Sequence, residues 1–235
     1  MIDMGYKCGT SAHFGGGLSM VECLTTLYNN ILSYDLKDTR WDDRDRFILS
    51  KGHGVLGFYA TLYIFGFIGK NEIDSFQQDE SEFIAHPIMD MDYGIESSNG
   101  SLGHGLSLGV GVAMAGKLKQ KDYKVYVMLG DGECNEGSVW EAAMAAPNLN
   151  VGNLNVIIDK NNFQQTGSNN EILNIESLIK KISSFNLETF EVDGHDPELI
   201  YDTLKIFTKN KPKAIIGNTR KGKYLSFSED NNKFH

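Results

Sequence analysis

Two short stretches of this chain place oxygen-bearing side chains at the ends of apolar runs, and the chemistry they suit is that of a hard divalent cation. The first is Gly130-Asp131-Gly132, which closes the run from Lys124 to Leu129. A glycine on each side lets the backbone turn sharply and approach a ligand with no Cβ in the way. Between them, Asp131 offers a carboxylate oxygen suited to magnesium. Taken alone, this tripeptide is also ordinary turn chemistry. The second stretch, Asp159-Lys160-Asn161-Asn162, closes the run Asn155-Val156-Ile157-Ile158 and is followed by Phe163 and Gly167. On adjacent parallel strands, Asp131 and Asn161 would reach one rim and share an octahedral ion. Its other positions would go to a backbone carbonyl, water and two phosphate oxygens. Two such turns on consecutive strands argue against coincidence. A helix starting soon after Gly132 would also offer free N–H groups to an anion such as diphosphate.

Those turns need a frame, and the second half of the chain predicts one. Strands are expected over 124–129, 154–158, 188–192 and 214–217, with helices over 136–146, 177–182 and 197–208. In the first half, Leu18, Val21, Leu24, Leu27, Tyr28, Ile31 and Leu32 fall at helical spacing, predicting one helix over 18–32. Further helices are expected over 55–67 and 106–119, the latter rich in small residues, and Asn71 could cap a short one. A charged turn at 42–46 leads into the short apolar run Phe47-Ile48-Leu49, and 81–99 reads as a loop. Strands alternating with helices predict an α/β fold: a doubly wound, mainly parallel sheet with helices on both faces. Ligands of such sheets bind outside the carboxyl ends of the strands. No repeat, low-complexity tract or linker interrupts the chain, so residues 1–235 read as a single domain.

Composition narrows the function classes. The formal net charge of −9 argues against nucleic acid or an anionic membrane as partner. An anionic ligand must therefore be held by local devices: a metal ion, helix N-termini or a few placed basic groups. Cys8, Cys23 and Cys134 form no paired framework, which suits a reducing, cytoplasmic setting. The longest apolar stretch, 55–69, is too short for a confident membrane span, and the N-terminus lacks the pattern of a signal peptide.

With these motifs assembled, the chain resembles the transketolase family. Gly130-Asp131-Gly132, Asn135-Glu136-Gly137 with Trp140-Glu141-Ala142, and Asp159-Lys160-Asn161 resemble the thiamine-diphosphate signature in its transketolase form. Ser11-Ala12-His13-Phe14-Gly15-Gly16, Ser50-Lys51-Gly52-His53-Gly54 and Ala85-His86-Pro87 extend the likeness. So do Gly100-Ser101-Leu102-Gly103-His104-Gly105 and Asn218-Thr219-Arg220-Lys221-Gly222. The matches run from residue 11 to the last residue.

The resemblance implies a thiamine-diphosphate-binding fold and a set of roles. Asp131 and Asn161 would give side-chain ligands to Mg2+, and Phe163 a carbonyl ligand. Gly130, Gly132, Glu133, His53, Gly100, Ser101, Leu102 and His235 would contact the cofactor, with Gly132 offering its N–H to the diphosphate. His13, His53, His86 and His235 would surround its reactive end or its diphosphate as proton carriers, imidazole titrating near neutrality. His104 would line the pocket. Glu136 would meet a glutamate of a partner chain, the pair sharing a proton or using water, because adjacent carboxylates resist joint ionisation; a helix cap is its simpler reading. Phe14 and Ile88 stand where the family usually has proline and glutamate, and would reshape the substrate entrance.

In the family, a two-carbon ketol unit passes from a ketose, a sugar or sugar phosphate, to an aldose. The pyrimidine pocket, the activating glutamate and the principal sugar-phosphate-binding residues of transketolases lie in a second domain that these 235 residues do not contain. The resemblance therefore implies a separate C-terminal, pyrimidine-binding partner chain in an α2β2 assembly. Two alternatives are the α subunit of a 2-oxo acid dehydrogenase and a non-catalytic chain of the same fold. The Ser50–Gly54 and Asn135–Ala142 motifs favour transketolase.

Overall fold

The apolar runs that end in the two oxygen-bearing turns are neighbouring central strands of one parallel sheet. A computed structural model describes residues 1–9 and 12–231. Its strands are β1 (Arg46–Leu49), β2 (Val125–Gly130), β3 (Leu154–Lys160), β4 (Glu188–Asp193) and β5 (Lys213–Asn218). They lie in the order β1-β2-β3-β5-β4, every pairing parallel. β2 is buried along its whole length, and β3 and β5 in all but their last residue. That is the pattern of parallel strands covered on both faces.

Successive residues of those strands feed two cores, because strand side chains alternate in direction. Helices α1 (Ile2–Lys7), α2 (Phe14–Leu18), α3 (Val21–Thr26), α4 (Val55–Ile64) and α5 (Lys70–Asp74) come from the first half. They are followed by α6 (His104–Leu118), α7 (Gly137–Asn148), α8 (Asn169–Ile172), α9 (Leu178–Ser184) and α10 (Pro197–Lys205). Tyr126, Met128, Ile157 and Ile215 pack with Leu24 of α3, Leu56 and Phe58 of α4, and Ile200 of α10. Val127, Leu129, Val156, Ile158 and Ile216 pack with Val110 of α6, Val139 and Ala142 of α7, and Ile182 of α9. The sheet is doubly wound, as its strand–helix alternation predicts.

Four expectations needed correction, three of them helix bounds; the first is the cap of α5, which is Gly69, with Asn71 inside the helix. The run Phe47-Ile48-Leu49 forms most of β1, whose four residues are too few to declare a period. It pairs with β2 in the register Arg46↔Val125. The helix expected over 18–32 is broken into α2, α3 and a π turn, Leu27–Ile31. The break falls at Ser19 and Met20, where the Ser19 hydroxyl bonds both the Gly16 carbonyl and the carboxylate of Asp159. A tertiary contact thus outweighs local helical periodicity. The helix expected over 55–67 stops at Ile64, and the chain turns through Gly66 at φ +85°, a conformation glycine adopts without strain. The helix expected over 197–208 stops at Lys205, where the Lys213 ammonium donates to the carbonyls of Thr203 and Leu204.

Candidate active site

At the carboxyl end of the sheet lies a cavity of about 540 Å³. β2, β3, the β1–α4 turn and three loops supply its walls. Gly130, Asp131 and Gly132 continue from β2, and Asn161 and Phe163 from β3; all five line the cavity. The register Gly130↔Asp159 makes the two turns neighbours. The Asn162 N–H donates to Asp131 Oδ2 at 2.6 Å, tying one turn to the other. Asp131 and Asn161, expected on one rim, are brought together there, and both are buried.

The two aspartates of these turns are wired differently. Asp159, next to last in β3, has its carboxylate saturated: Ser19, Lys51 and Asn161 donate to one oxygen and Thr219 to the other. Burial alone would push this carboxyl up, but the Lys51 ammonium and the two hydroxyls outweigh it and hold it below its ordinary value. Lys51 is fully buried. Asp131 has only the N–H groups of Gly132 and Asn162. Burial, with the Asp159 charge nearby, pushes its carboxyl up to about 7. A cation beside it would offset both causes.

The Asn161 amide nitrogen donates to Asp159 at 3.3 Å, and its oxygen accepts from the Phe163 N–H at 3.1 Å. The Asp131 carboxylate and the Asn161 amide oxygen are hard oxygen donors on one cavity that Phe163 also lines, a chemistry that fits Mg2+ better than a softer metal. Among the described residues, no cluster of three or more His, Cys, Asp or Glu side chains is set to hold an ion. Lys221, also buried, donates to the Gln164 carbonyl at 3.1 Å, and burial pushes its ammonium down to about 8.

Three of the expected histidines converge. His13 caps the start of α2, His53 sits in the 3-10 turn Gly52–Gly54, and His86 precedes Pro87 in the 81–99 loop. The rings of His13 and His53 are 6.0 Å apart, those of His13 and His86 6.4 Å apart, and all three line the cavity. The turn carrying His53 requires Gly52, where a Cβ would meet the Asn99 carbonyl oxygen at 2.5 Å. Gly100 and Leu102 line the cavity as well.

Other expected residues are placed differently. Glu133 lines the cavity, yet both its oxygens are taken. The Ser50 hydroxyl and the Gly103 N–H donate to Oε1, and the Gly130 N–H donates to Oε2. It knots β1, α6 and β2 beneath the cavity instead of offering a free contact. Ser101 and His104 are exposed and do not line the cavity. Glu136 is exposed in the single chain at the N-terminus of α7, and its side chain makes no capping bond. His235 lies outside the described residues. Sequence reasoning gave no role to Lys51, Asp159, Thr219, Lys221, Ser19 or Gln164. The first four lie inside motifs singled out for other members; nothing in the sequence marked Ser19 or Gln164.

With this geometry in view, comparison with known proteins decides the family. Residues 3–235 match the thiamine diphosphate binding domain of transketolase. The chain belongs to the transketolase family. It is 40% identical, over all its length and 84% of the relative's, to an apulose-4-phosphate transketolase subunit of Phocaeicola vulgatus. It is 36% identical to the 6-deoxy-6-sulfo-D-fructose transketolase subunit SqwG of a Clostridium species, covering 92% of this chain and 80% of that one. Its fold matches the crystal structure of Campylobacter jejuni transketolase with a TM-score of 0.91 at 29% identity. That match covers 99% of this chain and 38% of the other. The family is therefore transketolase and not the 2-oxo acid dehydrogenase α subunit. No helix among the described residues is long and apolar enough to cross a membrane.

Proposed function

We propose that this transketolase-family chain is the diphosphate-binding subunit of a two-chain, cytoplasmic enzyme that moves a two-carbon ketol unit from a ketose to an aldose. One observation carries the reading. Asp131 and Asn161, from consecutive parallel strands, share one cavity with His13, His53 and His86. Relatives matched over four-fifths or more of their own length are named as transketolase subunits, which supports a partner chain. That partner would be the C-terminal, pyrimidine-binding subunit, in an α2β2 assembly.

Within this reading each group has a task. Asp131, Asn161 and the Phe163 carbonyl hold Mg2+, and through it the diphosphate. Gly130 and Gly132 would let the backbone approach the diphosphate, and Gly100 and Leu102, which line the same cavity, would contact the cofactor. Thiamine diphosphate, when bound, supplies an electron sink for the two-carbon fragment. The chain's own work is to hold that cofactor, exclude water and carry protons. His13, His53 and His86 line the side of the cavity where the sugar's oxygens must come, so an imidazole can take or return a hydroxyl proton. Phe14 and Ile88 shape the entrance, and Glu136 waits at the surface for a carboxylate of the partner.

The test is co-expression with the candidate partner from the neighbouring gene. A stable complex should form, and Mg2+-dependent transfer from a panel of sugar and sugar-phosphate ketoses should follow. Two-carbon transfer by this chain alone would overturn the two-chain reading. A complex that binds no thiamine diphosphate in Mg2+ would overturn the site, and would favour the non-catalytic alternative.

A further inference from the structure

Beside Asp131 lies a buried polar group to which the reading above gives no task. The Gln164 side chain lines the cavity, and its Nε2 is buried with no hydrogen-bond partner among the described residues. The residue is fixed on three sides. Its N–H donates to the Gly167 carbonyl at 2.9 Å, and its carbonyl accepts from the Lys221 ammonium at 3.1 Å. Its stem lies over Gly132, where a Cβ would stand 2.8 Å from Gln164 Cγ. The stem is thus held against Gly132, and the carboxamide nitrogen is buried on the cavity wall. Asn169 Oδ1, a second buried atom without a partner, approaches the same Gly132 position at 3.4 Å.

A buried N–H is costly to leave unpaired, and a buried polar group without a partner calls for a ligand or ordered water. Here the orphans are one donor and one acceptor, both beside the glycine that follows Asp131. A phosphate oxygen can only accept, and it makes a stronger bond with an amide than a neutral acceptor does. Water bound to a cation can only donate. The two orphans match these two demands.

We propose that Gln164 is a further cofactor-positioning residue, its side-chain amide donating to a phosphate oxygen of the bound diphosphate. The inference rests on the functional reading above and extends it to a residue outside every motif. It also gives Gly132 a second purpose: only glycine there leaves room for the Gln164 stem.

The experiment uses the assembled complex with its partner subunit. Calorimetry in Mg2+ would measure thiamine diphosphate and, separately, inorganic pyrophosphate, which lacks the thiamine rings. Gln164→Met keeps length and shape without the donor, and Gln164→Glu places a carboxylate against the anion. Affinity for both ligands should fall about 10-fold in the first variant and about 100-fold in the second. The melting temperature of each ligand-free variant should stay at that of the wild type. If the wild-type complex binds neither ligand, the functional reading itself fails. If the wild type binds and both variants bind equally well, Gln164 does not touch the diphosphate. Equal losses in Met and Glu variants, with a lower ligand-free melting temperature, would make Gln164 merely structural and also overturn the inference.

Discussion

At the carboxyl ends of β2, β3 and β5 the chain buries Lys51, Lys221, Asp131, Glu133 and Asp159. At the amino ends of the same strands Lys117, Lys121, Lys124 and Lys209 border an open groove of about 300 Å³. The groove lysines lie at the surface, where water keeps them hydrated. Lys117 donates to the Leu149 carbonyl at the end of α7, and Lys121 meets Asp42 and Asp43 in solvent. Lys124 and Lys209 make no ion pair among the described residues. Surface pairs of this kind contribute little. Charges at the carboxyl end cannot be treated so cheaply, because each loses its hydration and must find partners in the protein. Asp159 and Glu133 find them. Asp131 finds only two N–H groups, and that incompleteness supports the proposed cation there.

The contrast can be broken most forcefully at Asp159. Replacing it with alanine strands the Lys51 ammonium in the interior, and should cost about 3–5 kcal/mol in urea unfolding. Changing Lys51 to Met in the same chain should restore much of that loss. If Asp159→Ala unfolds at the wild-type urea midpoint, the hub has no structural weight. Asp131→Ala should behave oppositely. Ligand-free stability should hold or rise, because a buried carboxylate without a counter-charge is removed. Calorimetry with Mg2+ should meanwhile show a loss of about 100-fold or more in thiamine diphosphate affinity, as expected when the charged ligand is deleted. Wild-type affinity in this variant would remove the cation from Asp131.

A smaller effect is expected at Glu22, on the same end of the molecule. Burial pushes its carboxyl up, but the Tyr224 hydroxyl and His195 outweigh that and hold it below 4.5. Its contribution to stability is thus present above pH 4.5 and is lost as pH falls through the lowered folded value. The stability difference between wild type and Glu22→Gln should shrink across that acid range; a constant difference would deny the coupling. The smallest effect belongs to the groove. Lys209→Ala should shift stability by no more than about 0.5 kcal/mol, and should leave cofactor affinity unchanged.

How far the site could be read in advance differs from residue to residue. Asp131 and Asn161 were legible because each follows an apolar run and sits in a turn whose chemistry is local. His13, His53 and His86 were legible through their short motifs, and the structure brings their rings within reach of one cavity. Ser101 and His104 were not, because a motif carries no information on which way each member of a loop points. Glu133 lines the cavity, but the engagement of its carboxylate was not legible. Its partners, Ser50, Gly103 and Gly130, come from three separate segments, and no local pattern announces that they converge. Ser19 stood inside a helical period, and only its bond to Asp159, 140 residues away in sequence, shows why the helix stops there.

The sequence by itself determined the alternation of strands and helices, the parallel sheet and the two turns at its carboxyl rim. These follow from short-range facts: side-chain period, glycine at tight turns and the oxygen chemistry of Asp and Asn. Only the tertiary structure decided which carboxylate is saturated and which has two N–H partners alone, and that Lys51 and Gln164 line the cavity. Those outcomes depend on which donors meet in a space closed to water, and residues distant along the chain become neighbours there only after folding.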